Sequence, residues 1–374
     1  MAFSNTDMQL SAIESEKLKS CVHVTIGTKW FDVSDFIYIN RIIVNAVTLI
    51  AFLMKISLDR ERTLEMACLS QLAYVAYNQG DNVVCNILKF GCPSFVQQYQ
   101  IIEFIHAPRL FNYTDELACC GLLLSTESDV VIAIRGTENL DDYFFNLLAL
   151  PNSEAIHSGF NFYIESFWQQ LRDFLLREDN AKKNIFVTGH SLGGAAATLI
   201  AKRLGETNLK PIEPSILETY TFGAPPVSTL KLTLDTPLYR FRNVGDFIPH
   251  LPKTIAALMN RIPGLKGAIT NWKPQLLQTL ADYCHVESEY CINKNYQIIR
   301  LDEYGTANIW QLLQLSKLLV PQLQLHKQTD INNKFQWLIA NLIQASLQEH
   351  RAIKYVERLS FGKLPTWCQN LEIP

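Results

Sequence analysis

The N-terminal region lacks an apolar run of membrane-spanning length. Its most apolar stretch, Ile42 to Met54, is bounded by Arg41 and Lys55 and interrupted by Asn45, well short of the roughly 18 residues that a spanning helix needs. A buried or interfacial helix is expected there. Charge of one sign is also scarce: 33 Lys and Arg stand against 36 Asp and Glu, for a formal net charge of −3, and no basic run exceeds a few residues. No global field would draw the chain to nucleic acid, and that class of partner is set aside. Paired cysteines are missing as well. The nine cysteines, at 21, 68, 85, 92, 119, 120, 284, 291 and 368, are scattered, odd in number and without C-x-x-C spacing, which indicates neither a disulfide framework nor a zinc site. Cys284 and Cys291 are close enough to close a small loop, and the sequence leaves open whether they pair. The opening Met1-Ala2-Phe3-Ser4, followed by Asp7, Glu14 and Glu16, has the wrong charge and polarity for a secretory leader, so a cytoplasmic location is expected. There is no internal repeat, low-complexity segment or convincing linker.

What is present is apolar material in quantity. A hydrophobic content of 48% over 374 residues suffices for a large core. Leu64, Ala67, Cys68, Leu72, Ala73, Val75 and Ala76 recur at helical spacing through residues 60 to 77. Short apolar runs follow. Leu122 to Leu124 and Val130 to Ile134 are expected as neighbouring strands, the second so uniformly apolar that it suggests a sheet centre covered on both faces. Phe160, Tyr163, Ile164, Phe167, Trp168, Leu171, Phe174 and Leu175 trace one helix face. Asn184 to Thr188 reads as a strand, Leu192 to Leu204 as a helix ended by Gly205, and Leu217 to Phe222 and Leu238 to Phe241 as two further strands. The alternation predicts an α/β fold with a mostly parallel central sheet flanked by helices, and extra helices at both ends of the chain.

Gly189-His190-Ser191-Leu192-Gly193 matches G-x-S-x-G, the tight strand-to-helix turn that lifts a serine hydroxyl out of a sheet. The bare pattern is weak, arising by chance in roughly one chain in ten of this length at average Gly and Ser usage. Its setting is more specific: an apolar strand precedes it and the alanine-rich segment Ala195 to Ala201 follows, so a helix N-terminus would aim backbone N–H groups at a developing oxyanion.

The elbow and several flanking motifs together resemble the class 3 lipases, the fungal-lipase-like branch of the α/β hydrolases. Arg135-Gly136-Thr137 is similar to that family's oxyanion loop, and Asp141-Asp142-Tyr143-Phe144-Phe145-Asn146-Leu147 to the segment leading into its lid. His157-Ser158-Gly159-Phe160, Thr221-Phe222-Gly223-Ala224-Pro225, and Asn243-Val244-Gly245-Asp246 with Pro249 resemble three further family motifs, in the right order over about residues 60 to 300. The resemblance implies an α/β-hydrolase fold over residues 59–374, with residues 1–58 as a partly helical extension on or near the core. It also implies Ser191 as nucleophile, Asp246 as triad acid, and the Thr137 and Leu192 backbone N–H groups as oxyanion donors, with the Thr137 hydroxyl as a possible addition. The implied activity is hydrolysis of carboxylic esters, of acylglycerol-type lipids first, by a serine acyl-enzyme route that needs no cofactor and no metal. Phospholipase A1 or galactolipid hydrolysis uses the same machinery, and a catalytically inactive binding protein on this fold is the alternative of another class.

The base is harder to place. In this fold the histidine follows the acid along the chain, leaving His250, His285, His326 and His350. His250, four residues beyond Asp246, is poorly placed to face both partners. His285 lies in a segment that resembles a family motif whose histidine is structural, with Glu287 where the family has glycine. Glu349-His350, followed by Tyr355, Val356 and Leu359, resembles the segment carrying the family's catalytic histidine, so His350 is favoured over His285 and then His326. Against it, His350 continues the helical stripe of Ile339, Ile343 and Leu347, and no Gly or Pro marks a loop there. The remaining histidines, including His157 and His190, are expected to be structural. Between Asp246 and Asp282 no acidic residue occurs, while Lys253, Arg261, Lys266 and Lys273 are interspersed with Ile, Leu, Ala and Trp272. Such an excursion suits either a cover for an acyl chain with peripheral membrane contact, or an ordinary packing helix and loop. No obligate protein partner is implied.

Overall fold

The computed structural model describes residues 23–26, 29–32, 58–88, 99–108, 117–137, 151–180, 182–206, 217–261, 275–286, 288–301 and 346–369. The chain divides into two compact units, Met1–Asp59 and Arg60–Pro374. In the first, strands β1 (His23–Ile26) and β2 (Lys29–Asp32) form an antiparallel pair. The apolar stretch Ile42 to Met54 lies outside the described residues, and no described helix is long and apolar enough to cross a membrane.

The second unit opens with helices α1 (Arg60–Gln79) and α2 (Asp81–Asn86), followed by strands β3 (Gln100–Pro108), β4 (Leu117–Ser125) and β5 (Asp129–Ile134). Helices α3 (Ser158–Glu165) and α4 (Trp168–Leu175), strand β6 (Asn184–His190), helix α5 (Leu192–Glu206), and strands β7 (Leu217–Phe222) and β8 (Leu238–Asn243) come next. Helices α6 (Leu251–Arg261) and α7 (Leu276–Asp282), strands β9 (Glu289–Ile292) and β10 (Ile298–Leu301), and helices α8 (Ala352–Leu359) and α9 (Thr366–Gln369) complete it.

Strands β3 to β10 form one sheet in chain order. Strands β5 to β9 are parallel, with an antiparallel pair added at one edge and β10 at the other. Parallel strands that advance stepwise in one direction through right-handed crossovers leave their crossover helices on one face. Accordingly Val130, Ile132, Ile134, Ile185 and Val187 share a core with Phe160, Leu171, Ala195 and Leu276, drawn from α3, α4, α5 and α7. Residues of opposite parity meet α1 on the other face, where the Thr188 hydroxyl donates to the Met66 carbonyl at 3.0 Å. The uniform apolarity of Val130 to Ile134 in β5 therefore has the cause expected of it: all five residues are buried, between two helical layers.

Two expectations need correction. The apolar face from Phe160 to Leu175 belongs to two helices, because the Ser166 hydroxyl donates to the Tyr163 carbonyl at 2.6 Å and Phe167 leaves helical geometry at φ −131°, ψ 4°. Both halves keep the apolar side inward, so the periodicity survives the break. Helix α5 is not ended by Gly205 but runs through it to Glu206. A glycine there costs about 1 kcal/mol, and the Lys202–Glu206 bond of 2.7 Å spans the same turn. Cys284 and Cys291 are both free.

The C-terminal segment packs α8 against α1 through Ala352, Tyr355, Val356 and Leu359. The last carbonyls of α8 have no partners within the helix, and Arg60 supplies them. Its guanidinium donates to Leu359 O (3.0 Å), Arg358 O (3.0 Å) and Tyr296 O (2.9 Å), and lies 3.8 Å over the Phe361 ring. Arg60→Ala is expected to lower unfolding free energy by about 2 kcal/mol, since bonds from a charged donor are each worth about 1.5–3 kcal/mol before the screening that a half-exposed site brings. Urea denaturation of the variant beside wild type measures it.

Candidate active site

Strand β6 delivers Ser191 at the mouth of the sheet, and the turn is as tight as the glycine spacing requires. A Cβ at Gly189 would overlap the Gly193 carbonyl, and one at Gly193 would overlap the Ile134 carbonyl on β5. Ser191 itself sits at φ 56°, a left-handed conformation that costs a non-glycine residue roughly 1–3 kcal/mol. Its N–H donates to Phe222 O at 2.9 Å, and its carbonyl accepts from Gly194 and Ala195, so the strain is held from both sides.

Three side chains from distant parts of the chain converge there. His350 Nε2 lies 2.9 Å from Ser191 Oγ, and His350 Nδ1 lies 2.9 Å from Asp246 Oδ2. All three residues are buried, Ser191 at 1%, Asp246 at 0% and His350 at 2% exposure. Residues 346–350 are helical, and Arg351 breaks the path with φ −55°, ψ 136° before α8 begins. His350 thus ends one helix and faces the elbow without the Gly or Pro that such a corner often uses. Gly223, at φ 61°, clears room for the pair: a Cβ there would stand 2.9 Å from Asp246 Oδ2 and 3.0 Å from the His350 ring.

Asp246 is held at both oxygens. Oδ2 accepts from His350 and from the Tyr355 hydroxyl at 2.5 Å, while Oδ1 accepts from the Ser346 hydroxyl at 3.1 Å and from Ile248 N–H at 3.0 Å. Ser346 is fixed in turn by Phe247 N–H (2.8 Å), and the Tyr355 oxygen by Asn243 N–H (3.2 Å). Burial alone would push the Asp246 carboxyl up, but the His350 ring and the bonds from His350 and Tyr355 outweigh it and hold it below the ordinary carboxylate range. The same contact, added to burial, pushes the Tyr355 hydroxyl well up, so it stays a donor.

On the other side of the elbow lies the Arg135-Gly136-Thr137 loop. Gly136 approaches so closely that a Cβ there would come within 3.1 Å of Ser191 Cβ. The loop is anchored by Arg135 N–H to Cys120 O (2.9 Å), by the Tyr163 hydroxyl to Arg135 O (3.3 Å), and by the Arg135 guanidinium 3.8 Å over Tyr77. The Thr137 hydroxyl is buried and has no hydrogen-bond partner among the described residues. Leu192 opens α5, so its N–H has no carbonyl one turn earlier in the helix to receive it.

Of the other histidines considered as the base, the two that are described, His285 and His250, are engaged elsewhere. His285 Nε2 donates to Pro249 O at 2.8 Å, and burial holds its ring neutral by pushing its pKa well down. His250 Nε2 sits 3.0 Å from Glu289, within a buried group that includes Arg240 and Arg242. His157 caps α3 by accepting from Phe160 N–H at 3.3 Å. His326 and the lid-like segment 141–147 lie outside the described residues, as do Lys266, Trp272, Lys273 and Glu287. The described part of the basic excursion is a packing helix: Leu251, Ile255 and Ala256 join the core while Lys253 is exposed. Sequence reasoning missed the supports of the Asp246 carboxylate. Ser346 was detectable, standing one helical turn before His350 and hence on its face; nothing local marks Tyr355 as a donor.

A serine on a positive-φ elbow between a parallel strand and a helix, with imidazole and carboxylate in line, defines the α/β-hydrolase class. Residues 131–255 match the sequence model of the family described as Lipase (class 3). The chain is 29% identical over 154 residues to Lipase ZK262.3 of Caenorhabditis elegans, covering 37% of this chain and 43% of that protein. It is 25% identical over 256 residues to Triacylglycerol lipase OBL1 of Arabidopsis thaliana, covering 53% and 47%. The chain thus spans about half the length of the curated relatives it matches. Among solved structures, the native Rhizomucor miehei lipase propeptide complex aligns with a TM-score of 0.45 at 20% identity, over 66% of this chain and 73% of that one.

Proposed function

We propose that this protein hydrolyses carboxylic esters of lipids through an acyl-enzyme on Ser191, with His350 as general base and Asp246 as the acid that orients it. The observation that carries the reading is the pair of 2.9 Å contacts that place one imidazole between the Ser191 hydroxyl and the Asp246 carboxylate. His350 Nε2 takes the hydroxyl proton as Oγ attacks the ester carbonyl and returns it to the leaving alcohol. Water then enters and gives a proton to the same nitrogen as its oxygen attacks the acyl carbon, and that proton passes to Ser191 Oγ as the acid product leaves and the free hydroxyl is restored. Asp246, anionic and bonded to Nδ1–H, fixes the tautomer and stabilises the imidazolium. The oxyanion falls between the Leu192 and Thr137 N–H groups, with the Thr137 hydroxyl, which has no partner among the described residues, as a further donor. A single donor of this kind is worth about 3–4 kcal/mol in other hydrolases. Lipid as the ester class rests on the family and on the relatives named as lipases.

The burial of Ser191 adds a condition: the ester reaches Oγ only after the surrounding chain moves. A fluorophosphonate should therefore label Ser191 slowly in buffer and about ten-fold or more faster when micelles offer an apolar surface that favours the open form, by population shift. Mass spectrometry of the labelled peptide locates the adduct. Absence of label on Ser191 in both conditions, from protein that melts cooperatively, would overturn the proposal.

A further inference from the structure

The residue preceding the nucleophile has work of its own. His190 Nε2 bonds to the backbone carbonyl of His350, and His190 Nδ1 lies 2.8 Å from the Tyr74 hydroxyl. A carbonyl can only accept, so Nε2 carries the hydrogen and Nδ1 receives that of Tyr74. Burial and the neighbouring His350 push the ring down to about 3, so it remains a neutral, single tautomer throughout the working pH range. The rings of Tyr74, His350 and Tyr355 surround it, with centroids 5.7, 4.7 and 5.7 Å away. Tyr74 also stands against the oxyanion loop, since a Cβ at Gly136 would overlap its hydroxyl oxygen.

We infer that His190 is a positioning residue for the base: through its Nε2–H it holds the main chain of His350 against the elbow, and Tyr74 holds His190 in the tautomer that can do so. The inference rests on the Ser191–His350 reading above. Its physical content is a short closed path that bypasses the acid. Ser191 is bonded to His190, His190 to the His350 carbonyl, and His350 Nε2 to Ser191 Oγ. Because one backbone segment carries both the attacking oxygen and the clamp on the base, motion of the elbow carries His350 along and preserves the 2.9 Å contact. The Asp246 bonds orient the ring from the far side and do not set this distance. Nucleophile, base and oxyanion loop all touch the Tyr74–His190 pair.

The test compares His190→Phe, which keeps a ring but loses the donor, with His190→Gln, whose side-chain amide can reach the same carbonyl, and with Tyr74→Phe. A micellar medium-chain acylglycerol is the substrate and a fluorophosphonate the active-site label. In His190→Phe, kcat and the labelling rate should fall together by about 100-fold, the scale of a 1 Å misplacement of a reacting group, with KM unchanged. His190→Gln should recover at least ten-fold of that loss, and Tyr74→Phe should lose several-fold. Wild-type kcat and labelling in His190→Phe would overturn the positioning role, as would a failure of His190→Gln to exceed His190→Phe at equal melting temperature. If His190→Phe does not fold, Tyr74→Phe decides, with wild-type kcat and labelling counting against the inference. A wild-type protein that neither labels nor turns over sinks the ester-hydrolase reading itself, an outcome distinct from an active wild type with indifferent His190 variants.

Discussion

Ser191→Ala is expected to lower kcat/KM for ester hydrolysis by about 10⁴-fold or more, because in the proposed mechanism the residue supplies the atom that bonds to the acyl group. The fold should persist. The hydroxyl makes one side-chain bond, to His350 Nε2, and losing it leaves one buried polar atom unmatched, at a cost of about 1–3 kcal/mol. Alanine keeps the strain at φ 56°, since it tolerates left-handed geometry no better than serine does. Ser191→Gly relieves that strain and should melt above Ser191→Ala while being equally inactive. Initial rates on an emulsified ester and thermal melts of the three proteins measure both effects. Activity surviving in Ser191→Ala would reassign the nucleophile.

The elbow and β5 were legible in the sequence for one reason: their causes are local. A glycine two residues either side of a serine and five apolar residues in a row each report a constraint satisfied within a few residues, whereas the loop of Asp246 was legible only through its resemblance to a family motif. The boundaries of α3, α4 and α5 were less legible, because a serine hydroxyl competing for one carbonyl and an ion pair across one turn each moved an end against the apolar pattern. His350 stood between these cases. Its segment resembled a family motif, yet its apolar spacing matched an ordinary half-buried helix, and the corner at Arg351 forms without Gly or Pro. Least legible were Tyr74 and Tyr355, whose partners lie 116 and 109 residues away. Pairings at that separation follow from the stacking of α1 and α8 on one face of the sheet, which no window of sequence contains.

Asp246→Asn tests what those distant contacts achieve, and should lower kcat by about 10⁴-fold, as loss of the triad carboxylate does in another serine hydrolase. The carboxylate accepts from four donors, His350, Tyr355, Ser346 and Ile248. An amide has one accepting oxygen, and its NH₂ must face either the Tyr355 and His350 donors or the Ser346 and Ile248 donors. In the first orientation His350 is driven to the tautomer with Nε2–H, which cannot take the Ser191 proton; in the second a backbone N–H loses its acceptor. Stability carries the same signature. The folded carboxyl is depressed below its ordinary range, so its ionisation stabilises the native state at pH values above the unfolded carboxyl's pKa. That contribution is lost as the pH falls from there through the folded value, where protons bind the unfolded chain first. Wild-type stability should accordingly fall steeply below about pH 4, and the Asp246→Asn protein should show a shallower acid limb, starting from a stability about 2 kcal/mol lower at pH 7. Urea midpoints between pH 3 and pH 7 resolve the two slopes. Parallel acid limbs in the two proteins would mean that the Asp246 carboxyl is not depressed in the folded state, and with it would go the account of His350 as an imidazole held by an anion.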